Sequence, residues 1–579
     1  MDDWARAREC FGRQAGWRII DLLFLSFFTV LITLHPYYLQ GEINFFELGL
    51  YLPGISSILS GGIPYRDFFY LRGPLELYIP AFFMGPFGKN VAVLSTFFYV
   101  GTLLTLLLCI LIAGQLYRTR WMLYLMVPVL VARTFPRVVF TYWGGMRYAL
   151  GLLVVFLAIK FLKNQKKGWL YAAGVVSALA LLTSIEVGVC AIATILGTLV
   201  FYGIFRLFEK DWAIRMILVY SLGILSVGIP YAIYLYINHA LAASIDSVFT
   251  VMTRMPRTID MHLISIMPKN PWEALLAMVN PNAENFKHMT PAYLYLILVV
   301  CLFRRIKRGE LNTDRLCIVC LGLYGLLLYI AAFRMLWSSQ LEMALQPEKI
   351  LLFFLLEELY LKAKGSPCTR TVQGEPFFQR VFLRYLTWSR VLVGILILSS
   401  LGYAIQRFNH RFFAFKLARN YLLGKDTKSL NPLAGQKTKP LLLPTMKGLT
   451  VPLLQAQELE EIFEFVQTHT KPREKVFMFP ELGAYSFIVD RPFVGRFPMV
   501  PFSWFKEEWH KEFVSDLREQ RPRYVIVSKA LPDRFASVYF KRRENKEYYD
   551  AIKNFVHNYY QIIEETPLSY IYYRLKEER

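Results

Sequence analysis

Long blocks of apolar residues without charge fill the chain before residue 409, and they constrain its fold more than any other feature. Hydrophobic residues make up 55% of the 579 residues, whereas soluble domains average roughly 45–50%. A helix that crosses the hydrocarbon core of a bilayer needs about 20 apolar residues, and many blocks reach or approach this length. The sequence therefore predicts a polytopic α-helical membrane protein with about eleven spans. They are expected near 19–35, 89–113, 121–135, 147–163, 169–186, 188–205, 216–237, 292–303, 315–333, 349–361 and 391–407.

The net charge of +22 would suit a nucleic-acid partner, but the distribution of Lys and Arg argues against one. Basic residues lie in short segments between alternate apolar blocks, which is how orientation is encoded in a membrane protein. A cytoplasmic N-terminus, residues 1–18, then leaves every later internal segment basic. We therefore expect an integral membrane protein whose N-terminus is cytoplasmic and whose C-terminal region is external. The internal segments are Tyr117–Arg120, Lys160–Gly168, Arg206–Arg215, Arg304–Arg315 and Lys362–Arg390.

This topology divides the chain into a transmembrane domain, 19–408, and a C-terminal external part. The transmembrane domain carries two long external loops, 36–88 and 238–291. A linker, 409–450, leads to residues 451–579, where β-favouring runs alternate with helical periodicity and predict a soluble α/β domain that folds on its own. Strands are expected at Val476–Phe479, Tyr524–Val527 and Tyr570–Tyr573, and helices at Leu459–Thr468 and Tyr548–Glu565.

The seven cysteines and the missing nucleotide motifs limit the possible chemistry. Cys317 and Cys320 lie in an apolar helix without a second pair, so we expect two packed thiols rather than a metal or redox site. The sequence has no Gly-rich nucleotide-binding loop, no zinc motif and no nucleophile elbow.

The first external loop carries charged residues close to the membrane, where charge is costly and usually functional. Glu47 begins an amphipathic run, 46–60, that is expected to form a helix lying in the membrane interface. A Gly-Gly turn follows it, and then come the blocks Pro64-Tyr65-Arg66-Asp67 and Gly73-Pro74-Leu75. In this order the loop resembles the first external loop of GT-C glycosyltransferases, in the bacterial branch related to protein mannosyltransferases. These enzymes use sugars linked to polyprenyl phosphate.

The resemblance implies a GT-C-like transmembrane domain in a bacterial inner membrane. It also implies an external domain at the C-terminus, and residues 464–528 are similar to that domain more loosely. The same resemblance implies that Glu47 is catalytic and that Asp67 takes part. Family members often have Pro-Pro where this chain has Gly73-Pro74. A carboxylate could serve as a base for the acceptor hydroxyl, or Glu47 and Asp67 could bind Mg²⁺ or Mn²⁺ to neutralise the phosphate. The sequence does not choose between these roles.

Arginines in the predicted external parts are candidates for binding the donor phosphate, because a guanidinium matches phosphate oxygens in a fork. Anchoring to anionic lipid headgroups remains an alternative for those of the second external turn. Tyr65, Trp143 and Glu186 are candidates for lining the substrate cavity, although a helix-end carboxylate is the simpler interpretation of Glu186. The phosphate candidates are Arg66, Arg72, Arg137, Arg147 and Arg334.

The sequence thus predicts a membrane glycosyltransferase that moves a hexose or pentose from a polyprenyl-phosphate donor. The acceptor would be a glycan, lipid or protein at the external face. One alternative is a transporter or flippase of lipid-linked glycans, which would carry charges within its spans and paired broken helices. Another is a non-catalytic protein of envelope assembly, in which Glu47 and Asp67 would be dispensable.

Overall fold

A computed structural model of the chain describes the residues that position the candidate site. The described residues are 19–35, 37–134, 145–205, 210–263, 286–308, 312–332, 344–363, 376–427, 430, 435–480, 482–498, 505–529 and 543–575.

The described part of the chain before residue 423 is mostly helical, and each predicted span lies on one of its helices. The helices are α1 (Ile19–Thr33), α2 (Phe45–Leu59), α3 (Leu75–Phe87), α4 (Val91–Leu116), α5 (Arg120–Thr134), α6 (Gly145–Asn164), α7 (Lys167–Thr183), α8 (Ile185–Phe205), α9 (Lys210–Ile237), α10 (Leu241–Leu263), α11 (Phe286–Lys307), α12 (Thr313–Ala332), α13 (Gln346–Ala363), α14 (Pro376–Arg411) and α15 (Phe413–Leu422).

Four helical segments in the described ranges are both long and apolar enough to cross a membrane. The others are shorter or more polar, so the count of eleven spans stays a prediction. Helix α14 begins well before the predicted span 391–407 and includes part of the basic segment that we assigned to an internal loop. The four segments are Val91–Leu116, Ile185–Ile204, Trp212–Ile237 and Thr313–Ala332.

Helices α7 and α9 pack backbone to backbone through two glycines. A Cβ on Gly174 would lie 2.2 Å from the carbonyl oxygen of Tyr220, and a Cβ on Gly223 would lie 2.2 Å from that of Tyr171. Small residues allow this kind of close helix packing in membranes. The outer face of α9 exposes Leu218, and Leu222 one turn later, as a face surrounded by lipid would.

Helix α2 has nearly the predicted bounds but not the predicted environment. Leu48, Tyr51, Leu52 and Ile55 are fully buried by other parts of the protein, so the expectation of a helix lying in the membrane interface is wrong. Its mostly apolar surface packs against α3 and against a short helix, Ala484–Ile488, of the C-terminal region. A helix that is hydrophobic nearly all round is a core helix.

The C-terminal region forms a four-stranded sheet with helices, and its strands agree with the three predicted β runs. The sheet order is β3-β4-β6-β5; β3 and β4 are parallel, and the other neighbours are antiparallel. A separate antiparallel pair, β1 and β2, precedes it. The elements are β1 (Thr438–Pro440), β2 (Thr450–Pro452), α16 (Leu453–His469), β3 (Phe477–Phe479), α17 (Ala484–Ile488), α18 (Glu507–Gln520), β4 (Tyr524–Ser528), α19 (Arg543–Tyr559), β5 (Tyr560–Glu565) and β6 (Ser569–Arg574).

The predicted helix Tyr548–Glu565 is wrong in its last third. Helix α19 ends at Tyr559, and residues 560–565 form strand β5. This strand pairs with β6 from Tyr560 opposite Arg574 to Glu565 opposite Tyr570. Pairing with a strand elsewhere in the sequence overrides local helical periodicity, because ladder hydrogen bonds satisfy the backbone equally well.

The first loop and the C-terminal region share one hydrophobic core. Leu48 and Phe68 of the loop belong to the same buried cluster as Leu459, Tyr485 and Ile526. The ring of Phe45 meets that of Tyr485 edge-on with centroids 4.9 Å apart. The C-terminal region therefore covers the loop that carries the predicted site residues.

Candidate active site

Glu47 is held at the start of α2 by a side-chain cap. The Oδ1 atom of Asn44 accepts a hydrogen bond from the backbone N–H of Glu47 at 3.1 Å, which satisfies one of the free donors at a helix start. The side chain of Glu47 is only 3% exposed. A carboxylate in the first turn is also favoured by the helix dipole.

Gly73 sets the position of the next helix. A Cβ at this residue would lie 2.0 Å from the carbonyl oxygen of Leu182 at the end of α7, so only glycine allows this backbone approach. The contact places Arg72 and the first turn of α3 beside the junction of α7 and α8. Glu186, in the first turn of α8, lies at that junction.

Arg72 and Glu76 form an ion pair inside this loop. The Nη1 atom of Arg72 is 3.5 Å from Oε2 of Glu76, and the hydroxyl of Tyr70 donates to the same oxygen at 2.9 Å. Nη1 of Arg72 also donates to the hydroxyl of Tyr51. Glu76 thus fixes the guanidinium of Arg72 between two aromatic side chains.

A second guanidinium, that of Arg147 in α6, lies close to the first. Electrostatic interactions link Arg72 with Arg147, Glu76 and Glu47, and link Arg147 with Glu76 and Glu186. Burial, and then the charge of Arg147, lower the pKa of Arg72 below its usual value. The site therefore combines two guanidiniums and three carboxylates in a largely buried volume.

Arg147 has spare hydrogen-bonding capacity. Its side chain is 3% exposed, yet its Nε and Nη2 atoms have no hydrogen-bond partner among the described residues. The Oε1 atom of Glu76 is likewise buried and without a partner in the described ranges. Buried donors without partners carry a free-energy cost of about 1–3 kcal/mol each, which an anionic ligand would remove.

Asp67 lies in a separate ion pair. Its two carboxylate oxygens accept from Nε and Nη2 of Arg66, both at 2.8 Å, and Oδ2 also accepts from the backbone N–H of Ile63 at 2.8 Å. Arg66 in turn donates to the carbonyl of Asn238 at 2.9 Å. The hydrogen bond from Arg66 lowers the pKa of Asp67. The pair braces the loop against the end of α9.

Tyr65 lies between the Arg66–Asp67 ion pair and the cluster that contains Arg72. Its backbone has φ of 70°, a left-handed conformation that is uncommon for a non-glycine residue. Its hydroxyl donates to the carbonyl of Arg72 at 2.9 Å. Arg496 of the C-terminal region contacts the same loop twice. Its Nη1 donates to the carbonyl of Tyr65 at 3.3 Å, and its own carbonyl accepts from the backbone N–H of Phe69 at 2.6 Å.

The predicted site residues therefore fall into three sets. Glu47, Arg72, Arg147 and Glu186 lie in one electrostatic cluster. Arg66 and Asp67 form their own pair beside it, with Tyr65 between the two. Arg137, Trp143 and Arg334 lie outside the described residues.

Sequence reasoning missed Glu76 and the aromatic side chains Tyr51, Tyr70 and Tyr148. The four-residue spacing of Arg72 and Glu76 at a helix start could have identified the ion pair. The guanidinium of Arg147 lies 4.9 Å from the centre of the Tyr148 ring. Tyr51 and Arg72 are 21 residues apart in the sequence, so no local pattern indicated that they are in contact.

Among the described residues, the carboxylates do not form a site for a divalent metal. In the described ranges no group of three or more His, Cys, Asp or Glu residues is suitable for holding one. Both oxygens of Asp67 already accept from Arg66, and the charge of Arg72 acts on Glu47. A cation at Glu47 would be repelled by that guanidinium.

Comparison with known proteins gives structural neighbours only. No protein-family model matches the chain, and no curated protein matches it significantly. Two solved structures of ArnT from Cupriavidus metallidurans, one bound to undecaprenyl phosphate and one in the apo state, each align over 97% of this chain and 98% of their own. The identities are 13% and 12%, with a TM-score of 0.44 for both. Because the TM-score is below 0.5, the function proposed next depends on the residues of the site and not on this similarity.

Proposed function

We propose that the chain is a membrane glycosyltransferase that moves a sugar from a polyprenyl-phosphate donor to an acceptor at the external face. The observation that carries this proposal is the buried guanidinium of Arg147, whose Nε and Nη2 have no partner among the described residues. It interacts with a second guanidinium, that of Arg72, which in turn interacts with the carboxylate of Glu47.

The two guanidiniums suit the phosphate of the donor. The Nε and Nη2 atoms of Arg147 have no hydrogen-bond partner among the described residues, so they are available to an anion. A phosphate accepts forked hydrogen bonds from arginine. As the sugar leaves, negative charge grows on the phosphate oxygen, and fixed positive charge stabilises the transition state more than the ground state.

Glu47 is the proposed base. The acceptor oxygen attacks the anomeric carbon, its proton passes to the carboxylate of Glu47, and the bond from that carbon to the phosphate oxygen breaks. The electron pair of the broken bond remains on the polyprenyl phosphate. Attack from the side opposite the phosphate inverts the anomeric carbon, as the resemblance of the loop implies.

Glu76 is a positioning residue in this scheme. It holds Arg72 through the 3.5 Å ion pair and receives the hydroxyl of Tyr70. Since the carboxylates in the described part of the chain form no metal site, Arg72 and Arg147 take the role of neutralising the leaving phosphate. We therefore expect transfer to continue in the presence of a chelator.

The placement of charges disfavours a transporter. Glu47, Glu76 and Glu186 each lie in the first turn of a helix, and Arg147 is the third residue of α6 as described. A transporter would carry such groups within broken spans near the middle of the bilayer. Charges gathered at one end of the bundle suit chemistry at the membrane surface.

Reconstitution of the full chain in liposomes with a radiolabelled polyprenyl-phosphate sugar tests the proposal. The expected result is release of polyprenyl phosphate and transfer of label to an added glycan or lipid fraction, unchanged by EDTA. Movement of the intact donor across the bilayer without cleavage would support the transporter instead. Loss of transfer in EDTA that Mg²⁺ restores would contradict the metal-independent mechanism while leaving the proposed activity in place.

A further inference from the structure

A groove of about 460 Å³ opens at the end of the helix bundle opposite the candidate active site. It lies between the C-terminal ends of α4, α11 and α13 and the N-terminal end of α12. The first loop adjoins the other end of α4, near Val91. Helix α4 has 26 residues, so the two ends are about 39 Å apart at 1.5 Å per residue. The groove is thus distinct from the site described above and lies on the predicted cytoplasmic side.

The groove has an excess of positive charge. Arg305 lies 2.5 Å and Arg118 4.0 Å from Glu358, while Asp314 pairs with Lys163, which is not part of the lining, at 3.8 Å. Among the described residues that line the groove, five arginines therefore accompany two carboxylates, an excess of three positive charges. The arginines are Arg118, Arg304, Arg305, Arg308 and Arg315.

The remaining wall of the groove is apolar and continues onto an exposed helix face. Ile297, Leu302 and Leu355 line the groove. On α11, Ile297 is exposed, and so is Phe303, so the groove opens beside a face that a bilayer would cover. A ligand that fits both parts has an anionic head and an apolar tail.

We propose that this groove binds the phosphate headgroup of an anionic glycerophospholipid. The arginines would hold the phosphate, and the glycerol and the first part of the acyl chains would lie along Ile297 and Leu302. The volume falls within the roughly 300–1,000 Å³ of small-molecule sites. Basic pockets between helices on the cytoplasmic side suit such headgroups.

Orientation signals alone do not account for the groove. Basic residues that only encode topology can lie anywhere on an internal loop, as Lys166 and Lys167 do on the exposed turn between α6 and α7. The arginines of the groove instead come from two helices, α11 and α12, and from the turns that follow α4 and α11, and they meet around one concave volume. Convergence of this kind favours a bound anion.

Native mass spectrometry of the full chain tests the proposal. Delipidated protein in detergent is titrated with phosphatidylglycerol and, separately, with phosphatidylcholine. We expect one phosphatidylglycerol to be retained at least tenfold more tightly than phosphatidylcholine. The double variant Arg304→Gln/Arg308→Gln should weaken that binding by about tenfold to a hundredfold, since each removes a charge-assisted contact.

The matched control is Lys166→Gln/Lys167→Gln, which removes the same charge from the same predicted side and should bind phosphatidylglycerol as the wild type does. Equal retention of the two lipids, or equal binding by the groove variant and the control, would overturn the proposal. So would displacement of the lipid by millimolar inorganic phosphate, or tighter binding of undecaprenyl phosphate in the groove.

A second measurement needs no variant and so does not depend on folding of the mutated protein. Photoactivatable phosphatidylglycerol bound to the wild-type chain should cross-link within α11 or α13, near Leu302 or Leu355. Cross-links confined to other helices would overturn the assignment.

Discussion

Gln455 of the C-terminal region hydrogen-bonds both backbone polar groups of Ile43, four residues before Glu47. The N–H of Ile43 donates to Oε1 at 2.9 Å, and Nε2 donates to the carbonyl of Ile43 at 3.2 Å. Both residues are buried, and they are 412 residues apart in the chain. The C-terminal region thus fixes the start of α2 and, with it, the proposed base.

Gln455→Glu should destabilise the protein, because it replaces the donor that faces the carbonyl of Ile43 with a second acceptor. Loss of a buried hydrogen bond that leaves its partner unsatisfied costs about 1–3 kcal/mol. Thermal unfolding of the full chain in detergent should show a lower Tm, and transfer should fall as well. Gln436→Glu makes the same change at an exposed position and should leave both unchanged. An equal Tm for both variants would show that this contact does not hold the loop.

The bounds of α2 follow from local sequence, but its surroundings do not. The apolar run after Asn44 predicts a helix over 46–60, and the structure has Phe45–Leu59. The same run fits a lipid-facing surface as well as a protein core, because both are apolar. Tyr485 and its neighbours decide that α2 is surrounded by protein. They lie more than 400 positions away in the chain, and the periodicity of α2 does not reveal them.

The candidate active site could likewise be predicted from the sequence only in part. Glu47, Arg72 and Arg147 could be selected from the sequence because charge near apolar blocks is costly and so conspicuous. Their grouping depends on Gly73 meeting Leu182 and on the start of α6, which are tertiary contacts. Glu76 escaped notice because a carboxylate in the first turn of a helix is ordinary on any surface.

Residues 435–579 expressed alone should expose apolar surface, although the sequence predicts a domain that folds on its own. Tyr485, Leu459 and Ile526 share their buried cluster with the first loop, and removal of that loop uncovers it. We expect the fragment to bind ANS strongly and to self-associate in size-exclusion chromatography. A monomeric fragment with a sharp thermal transition and no ANS binding would contradict the shared core.

Asp67→Asn should lower stability near neutral pH but not in acid. The hydrogen bond from Arg66 lowers the pKa of Asp67 below its usual value, so the contribution is full above the unfolded pKa of about 3.9. It disappears as pH falls through the lower folded pKa. Because the pair is partly exposed, we expect a difference of about 1 kcal/mol or less at pH 7. Tm against pH should show the two curves converging in acid.

A double-mutant cycle identifies the cause of that loss. Arg66→Gln should reduce Tm at pH 7 by a similar amount, and the double variant should add little, because the two residues share one interaction. Strict additivity would mean that Asp67 acts through the backbone of Ile63 and not through Arg66.

Arg72→Lys and Arg147→Lys should each weaken binding of the donor while the fold is retained. Lysine keeps the charge that balances Glu76 and Glu186, but it loses the fork that matches a phosphate. We expect KM for the donor to rise by about tenfold to a hundredfold, as for loss of a charge-assisted contact. KM for the acceptor should not change. Arg518→Lys, on the exposed side of α18, is the control. Equal effects on the two KM values would point to a general disturbance of the site.

Glu47→Gln should stop transfer while the protein still folds and binds its donor. The substitution keeps the shape and polarity of the side chain but removes the proton acceptor, and loss of general-base catalysis costs about 10²–10⁴ in rate. Glu42→Gln, an exposed change five residues earlier in the same loop, should transfer at the wild-type rate. Donor binding by the two variants, measured with a labelled polyprenyl-phosphate sugar, should be alike. If Glu47→Gln transfers as fast as Glu42→Gln, Glu47 is not the base, and the carboxylate of Glu76, buried beside Arg72 with its Oε1 without a partner in the described ranges, becomes the next candidate.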